Sequence, residues 1–169
     1  IYDRGLFLRR GLRKRIWTWD STTRLDTRIT HIKFGGSIVD IRVHLTLENS
    51  QEKLVIRNQY KDMSDLIEYL RAKILPILAD LAIRKFSQNQ SIGFSKSISA
   101  TMDELIIASN QFRWDQIGEP KIKNRKLILT DRQGLEILSQ TKLNQIMNLD
   151  LLLYLLKNPL TLKTQSTSR

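Results

Sequence analysis

One long segment, in which apolar and polar side chains alternate, constrains this fold more than any other feature. From Val39 to Glu48, apolar residues occupy every second position, and polar or charged residues occupy the positions between them. Successive side chains of a strand point to opposite sides, so this pattern predicts a strand over residues 38–48 with one face buried. At least part of the core must therefore be built on a β-sheet.

At Asp62 the hydrophobic period changes from that of a strand to that of a helix. Apolar residues from Met63 to Leu81 recur at steps of three and four, which predicts an amphipathic helix ending near Lys85. Asp62 is the predicted N-cap. Because proline lacks a backbone N–H, Pro76 is expected to kink or split this helix.

Short apolar segments separated by turn residues predict further strands in both halves of the chain. In the first half these segments are residues 2–8, 16–19, 24–34 with a bulge near Thr30, and 53–57. In the second half they are residues 92–102, 105–108 and 112–117, a hairpin around the turn at 131–134, and a helix at 149–157 capped by Asn148. Each half therefore consists of several predicted strands followed by a predicted helix.

A Trp-Asp pair recurs in the two halves, each time after a short apolar strand and a turn. The four residues are Trp19, Asp20, Trp114 and Asp115. A tryptophan offers a large apolar contact area, and an aspartate at a turn accepts hydrogen bonds. We therefore interpret the pairs as a structural repeat motif rather than as catalytic residues. Chance similarity between two hairpins is the alternative.

Composition excludes several classes of protein. The 169 residues contain no cysteine, which excludes disulfides and thiol-based zinc or redox sites. The longest apolar runs, residues 74–79 and 151–156, have six residues each, whereas a membrane-spanning helix needs roughly 20. The chain begins at Ile1 rather than at a methionine, so we expect it to be part of a longer or processed protein.

Several short motifs give the chain a resemblance to a known family. They are residues 2–7, 19–20, 62–66, 93–94 and 112–117, and residues 148–149 with the leucine-rich helix that follows. These motifs resemble those of tandem bacterial pleckstrin-homology-like (PH-like) proteins, and in particular the DUF6585 family of unknown function. The resemblance covers nearly the whole chain.

The resemblance implies an α+β fold with two PH-like units. Each unit would be a curved antiparallel sheet or split barrel closed by a C-terminal helix, and the second unit would be shortened. We expect the first unit at residues 1–86, the second at residues 91–158, and a C-terminal tail at residues 159–169. The resemblance implies no catalytic residues and supplies no established binding residues.

No arrangement typical of an enzyme or of a metal site is found in the sequence. The two histidines, His31 and His44, both lie on predicted strands without a metal-ligand motif around them. The glycines at positions 35 and 36 join two strands and lack the P-loop pattern, and no nucleophile elbow is present. We therefore predict a non-enzymatic protein without a metal or a cofactor.

Positive charge is concentrated in two clusters. The chain carries 28 Lys and Arg against 17 Asp and Glu, a formal net charge of +11. The first cluster, expected on the loop of the first hairpin, is Arg9, Arg10, Arg13, Lys14 and Arg15; the second is Lys121, Lys123, Arg125 and Lys126. Such clusters attract anionic membranes or nucleic acids, although basic residues also keep hairpin tips soluble and edge strands unpaired.

Three functions agree with these features. The first is a PH-like protein-interaction module, either the soluble part of a membrane-associated protein or a subunit of a larger complex. The second is peripheral binding to anionic lipid through the basic hairpin. The third is nucleic-acid binding, against which stands the absence of a recognition motif. No small-molecule substrate is indicated. We expect a location at the cytoplasmic side of a membrane, peripheral or tethered by a segment upstream of Ile1.

Overall fold

The computed structural model describes residues 4–10, 13–34, 37–57 and 62–158, and within them the fold is mixed α+β as predicted. Twelve strands form four antiparallel sheets in this part of the chain, and two α-helices accompany them. None of these sheets closes into a barrel among the described residues. The chain divides into two compact units, residues 1–78 and 79–169.

The first unit contains a hairpin and a three-stranded sheet. Its strands are β1 (Gly5–Arg10), β2 (Arg13–Thr18), β3 (Arg24–Phe34), β4 (Ser37–Glu48) and β5 (Lys53–Arg57). A short 3-10 helix, Trp19–Ser21, separates the hairpin β1–β2 from the sheet β3–β4–β5. The register of β3 against β4 shifts between Ile32 and Lys33, so the irregularity lies slightly later than the bulge predicted near Thr30.

Strand β4 confirms the alternation seen in the sequence where its side chains are described. Val43, Leu45 and Leu47 are buried, whereas His44 and Thr46 between them are partly exposed. The buried side of this sheet also includes Leu25. The opposite side is partly exposed at β4, whereas Asp26 of β3 on that side is buried.

Helix α1 (Met63–Ser87) begins directly after Asp62 and runs past the division between the two units. Pro76 lies inside α1 without splitting it. Because Pro76 has no N–H, the carbonyl of Ala72, four residues earlier, lacks its helical partner. Both residues are exposed, so water can take the place of that partner. The helix ends at Ser87, and Asn89, two residues later, has a φ of 57°, in the left-handed region typical of the residues that follow a helix.

The second unit contains a four-stranded and a three-stranded sheet. Its elements are β6 (Ile92–Gly93), β7 (Ile98–Ala100), β8 (Glu104–Ile107), β9 (Asn110–Arg113), the 3-10 helix Trp114–Gln116, β10 (Lys121–Lys123), β11 (Lys126–Thr130), β12 (Ile137–Lys142), the 3-10 helix Leu143–Gln145 and α2 (Leu149–Lys157). The bounds of α2 agree with the prediction. Asn148 is its N-cap, but the side chain of Asn148 makes no capping hydrogen bond.

The second unit contains more strands than the sequence predicted. Among the described residues it has seven strands, against five in the first unit. Residues 92–102, expected to be one strand, contain the separate strands β6 and β7, and β10 was not expected at all. These strands have two or three residues each, which is too short to show an alternating period in the sequence.

The two Trp-Asp pairs adopt the same local structure. Each tryptophan begins a 3-10 helix directly after a hairpin, instead of lying on a strand as expected. The backbone N–H of Trp19 donates to the carbonyl of Arg4 at 3.1 Å, and that of Trp114 donates to the carbonyl of Asp103 at 3.4 Å. Each acceptor directly precedes the hairpin, so the same hydrogen bond closes both hairpins.

Candidate functional site

The first basic cluster lies on strands rather than on a loop. Arg9 and Arg10 end β1, and Arg13, Lys14 and Arg15 begin β2. Arg9 is opposite Lys14 in the register, and Arg10 is opposite Arg13. The expected basic loop over residues 9–15 is therefore wrong, because backbone pairing continues into a segment whose side chains are charged. Residues 11–12 lie outside the described part of the chain, as do the side chains of Arg9, Arg10 and Arg13.

Apolar side chains are exposed beside the basic cluster. Phe7 and Ile16 face each other across the hairpin and are 37% and 73% exposed. Lys14 is exposed and lies two residues from Ile16, on the same side of β2. On the other side of the hairpin, Leu6 and Trp17 are buried. We call Phe7, Ile16 and Lys14 the hairpin patch.

Arg15 differs from the hairpin patch because it has an acidic partner. Its Nη1 lies 3.6 Å from Oε2 of Glu52, and both side chains are well exposed. An exposed ion pair of this kind contributes at most about 1 kcal/mol to stability. Arg15 thus lies on the side of β2 that carries Trp17, with part of its charge compensated.

The second basic cluster occupies a tight hairpin. Lys121 and Lys123 lie on β10, and Lys126 begins β11. The turn residues Asn124 and Arg125 have φ values of 51° and 60°, as a two-residue hairpin turn of the primed type requires. The turn thus holds the basic residues of the two strands side by side.

Strand pairing adds Lys142 to this cluster and produces a row of three lysines. Lys123 is opposite Lys126, and Lys126 is opposite Lys142 on β12. Leu127 and Leu129 fill the other side of β11 and are fully buried, so the lysines are on the solvent side. We call Lys123, Lys126 and Lys142 the lysine row. The sequence alone did not identify Lys142 because nothing in the linear order shows which residue of β12 pairs with Lys126.

The lysine row has no compensating negative charge within the described residues. No hydrogen bond or ion pair joins any of its three side chains to another residue of that part. Two like charges 4 Å apart repel by about 1 kcal/mol in water, and like charges directly opposite each other destabilise a sheet. The row is therefore a concentrated positive surface that stability alone does not favour.

The first unit carries a comparable row on its own three-stranded sheet. Arg28 is opposite His44, and His44 is opposite Arg57. All three are on the side opposite the buried leucines of β4, and none has a hydrogen bond or ion pair from its side chain among the described residues. We call them the arginine–histidine row. His31 lies on β3 with an undescribed side chain.

Earlier on β3, Arg24 and Asp26 form an ion pair, unlike the residues of the arginine–histidine row. Arg24 Nε donates to Oδ2 of Asp26 at 2.7 Å, and Arg24 Nη1 lies 3.5 Å from Oε2 of Glu48. The same side of the sheet thus carries one arginine paired with two carboxylates and, beside it, a row of basic side chains. Arg24 therefore has acidic partners, whereas Arg28, His44 and Arg57 on the same side of the sheet have none among the described residues.

The aspartates of the repeat motif take part in local surface structure. Asp20 is exposed in the first 3-10 helix. Asp115 lines an open depression of about 450 Å³ in the second unit together with Arg113, Gln116 and residues 131–133. Arg113 Nη2 donates to Oδ2 of Asp115 at 2.7 Å, and the backbone N–H of Arg113 donates to Oε1 of Gln116 at 2.9 Å. These contacts stabilise the turn after β9.

Two further observations bear on the kind of site that is present. Among the described residues, no three His, Asp or Glu side chains lie close enough together to hold a metal ion. Within the same part of the chain, neither α-helix combines the length and the apolar character needed to cross a membrane.

Comparison with known proteins places the chain in one family. The model of a family described as "Family of unknown function (DUF6585)" matches residues 1–165. No curated protein matches the chain, and no solved structure matches it. Since the match extends over almost all of the 169 residues, this protein belongs to the DUF6585 family.

Proposed function

We propose that the chain is a non-enzymatic binding module built from two PH-like units. The order of elements supports this proposal. In both units a hairpin leads into a 3-10 helix that begins with Trp-Asp, then into a three-stranded antiparallel sheet, and then into an α-helix. The identical closing hydrogen bonds of Trp19 and Trp114 support it as well.

The surface of an anionic membrane is the proposed ligand of this module. The observation that carries the proposal is the exposure of Phe7 and Ile16 beside Lys14 in the hairpin patch. Apolar side chains gain free energy when they enter the boundary between head groups and acyl chains. Each basic residue near an anionic surface adds about 1 kcal/mol. A patch that combines both properties suits peripheral attachment, in which the hairpin would rest on the bilayer.

Removing the apolar side chains of the hairpin patch is expected to weaken membrane binding. The double variant Phe7→Ser/Ile16→Ser should bind vesicles of phosphatidylcholine and phosphatidylserine at least about tenfold more weakly, because burial of even one such side chain contributes about 1.5 kcal/mol or more. Sedimentation with vesicles measures the effect. Phosphatidylcholine vesicles without phosphatidylserine should bind the wild type weakly.

A matched control uses two exposed apolar residues of the second unit. The double variant Leu135→Ser/Ile137→Ser removes similar side chains, which are 82% and 56% exposed, and should bind the vesicles as the wild type does. If the hairpin variant and this control bind equally well, the hairpin patch is not the membrane-binding surface.

Binding to a protein partner is the second candidate function, and a different observation favours it. Leu135 and Ile137 are exposed on the hairpin that joins β11 to β12. Exposed apolar side chains that lie together often mark protein-interaction sites. Gly134, with a φ of 74°, sets the turn that directs the chain into Leu135.

Capture from native membranes tests this second candidate. We expect a partner recovered with the wild type to be lost with Leu135→Ser/Ile137→Ser and retained with Phe7→Ser/Ile16→Ser. The partner should also bind the purified wild-type chain directly. Recovery of the chain without any partner under gentle conditions would contradict this candidate.

A further inference from the structure

We propose that the lysine row binds a small free anion that carries several phosphate groups. This inference is independent of the membrane proposal because it concerns another sheet in the other unit. It rests on the strand register that aligns Lys123, Lys126 and Lys142. It rests also on the absence of any acidic partner for them among the described residues.

The geometry of the row determines how the charges of the ligand must be distributed. Neighbouring strands lie about 4.8 Å apart, so the three lysines start from backbone positions that together span about 10 Å. Lys121 lies two residues before Lys123 on the same side of β10, and Arg125 is exposed in the adjoining turn. A single phosphate would have to draw the flexible lysine side chains together against their mutual repulsion. An anion with phosphate groups joined in a chain matches their spread without that cost.

The chemistry of the side chains suits phosphate. Lysine binds phosphate as a compact point charge with three donors, whereas arginine recognises both carboxylate and phosphate through paired hydrogen bonds. Strands β10, β11 and β12 contain no aromatic residue on which a nucleobase could stack. On the side of the row, the neighbouring Ile128 of β11 is partly buried, and the exposed Ile122 of β10 lies on the other side of the sheet.

The arginine–histidine row shows that this arrangement occurs twice. Arg57 is the last residue of β5, as Lys142 is of β12, and each ends the third strand of a three-stranded sheet. In both sheets the row crosses all three strands on the solvent side. Strands β10, β11 and β12 contain no acidic residue, whereas Asp26 lies two residues before Arg28 on the same side of β3. The lysine row is therefore the stronger candidate for binding an anion.

Titration calorimetry with inorganic tripolyphosphate tests the proposal on the whole chain. The triple variant Lys123→Gln/Lys126→Gln/Lys142→Gln should bind tripolyphosphate roughly 30-fold more weakly than the wild type, at about threefold for each exposed charge removed. The wild type should bind orthophosphate much more weakly than tripolyphosphate. Because the substitutions remove repulsion, the thermal midpoint of the variant should not fall below that of the wild type, which separates loss of binding from loss of fold.

The control variant makes the same change in net charge elsewhere in the second unit. Lys85, Lys96 and Lys157 are exposed and lie outside the row, so Lys85→Gln/Lys96→Gln/Lys157→Gln should bind tripolyphosphate within a factor of about three of the wild type. An equal loss in both variants would overturn the proposal, because net charge alone would then explain binding. Orthophosphate bound as tightly as tripolyphosphate would also overturn it.

Three other probes distinguish the alternative polyanions. If single-stranded RNA, an acidic peptide or phosphatidylserine vesicles bind through the row and tripolyphosphate does not, the proposal is overturned. Vesicle binding that depends on Phe7 and Ile16 but not on the lysine row supports the membrane proposal. The titration with tripolyphosphate then decides by itself whether the lysine-row proposal holds. Failure of the membrane proposal and failure of this one are therefore separate outcomes.

Discussion

Replacing Trp114 with alanine is expected to lower the free energy of unfolding by about 3–5 kcal/mol. Trp114 is 6% exposed and its indole Nε1 donates to the carbonyl of Met102 at 3.1 Å. Alanine would leave a cavity where the ring packs and a carbonyl without its donor, and both losses destabilise the folded state. Urea unfolding followed by circular dichroism measures the effect.

The variant Trp114→Phe provides the matched control. It keeps most of the apolar contact and removes only the hydrogen bond to Met102, so we expect a loss of about 0.5–1.5 kcal/mol. The difference between the two variants then reports the packing of the ring. If Trp114→Ala unfolds at the wild-type urea concentration, the Trp-Asp pair of the second unit does not have the structural role proposed for it.

A methyl group at position 118 is expected to destabilise the second unit by about 1–3 kcal/mol or more. A Cβ on Gly118 would lie 2.4 Å from the carbonyl oxygen of Asp131 and 2.9 Å from Oγ1 of Thr130. The N–H of Gly118 donates to the carbonyl of Thr130 at 2.9 Å. Because the closest atom is backbone, no side-chain rotation relieves the clash, and Gly118→Ala must displace the chain that leads from the 3-10 helix to β10.

Gly93 is the control for this effect. A Cβ on Gly93, in β6 of the same unit, would meet no atom within 4 Å. Gly93→Ala should therefore change the free energy of unfolding by no more than about 0.5 kcal/mol. Thermal unfolding of both variants under the same conditions measures the contrast. Equal stability of Gly118→Ala and Gly93→Ala would show that the close approach of residues 118 and 131 is not required by the fold.

The two proposed binding surfaces differ in composition, and the difference suggests different ligands. The hairpin patch combines an aromatic and an aliphatic side chain with Lys14, which suits a surface that is both apolar and anionic. The lysine row presents ammonium groups alone. Charge without apolar contact suits a hydrated polyanion. The DUF6585 family is one of unknown function, so the two proposed ligands rest on the composition of these surfaces alone.

Much of the secondary structure followed from the sequence because the long elements have a clear hydrophobic period. The alternation up to Glu48 predicted β4, and the steps of three and four after Asp62 predicted α1. The bounds of α2 and β5 were predicted as well. The short strands β6, β7 and β10 could not be predicted as separate strands, since two or three residues do not define a period.

The sequence by itself determined the mixed fold, the long strand, the two helices and the positions of the basic clusters. Each of these depends on local order along the chain, which the residues display directly. Only the tertiary structure decided that Phe7 and Ile16 are exposed and that Lys142 joins Lys123 and Lys126. Exposure depends on what covers a side chain, and a cross-strand row depends on register. Both are properties of residues distant in sequence that folding brings together.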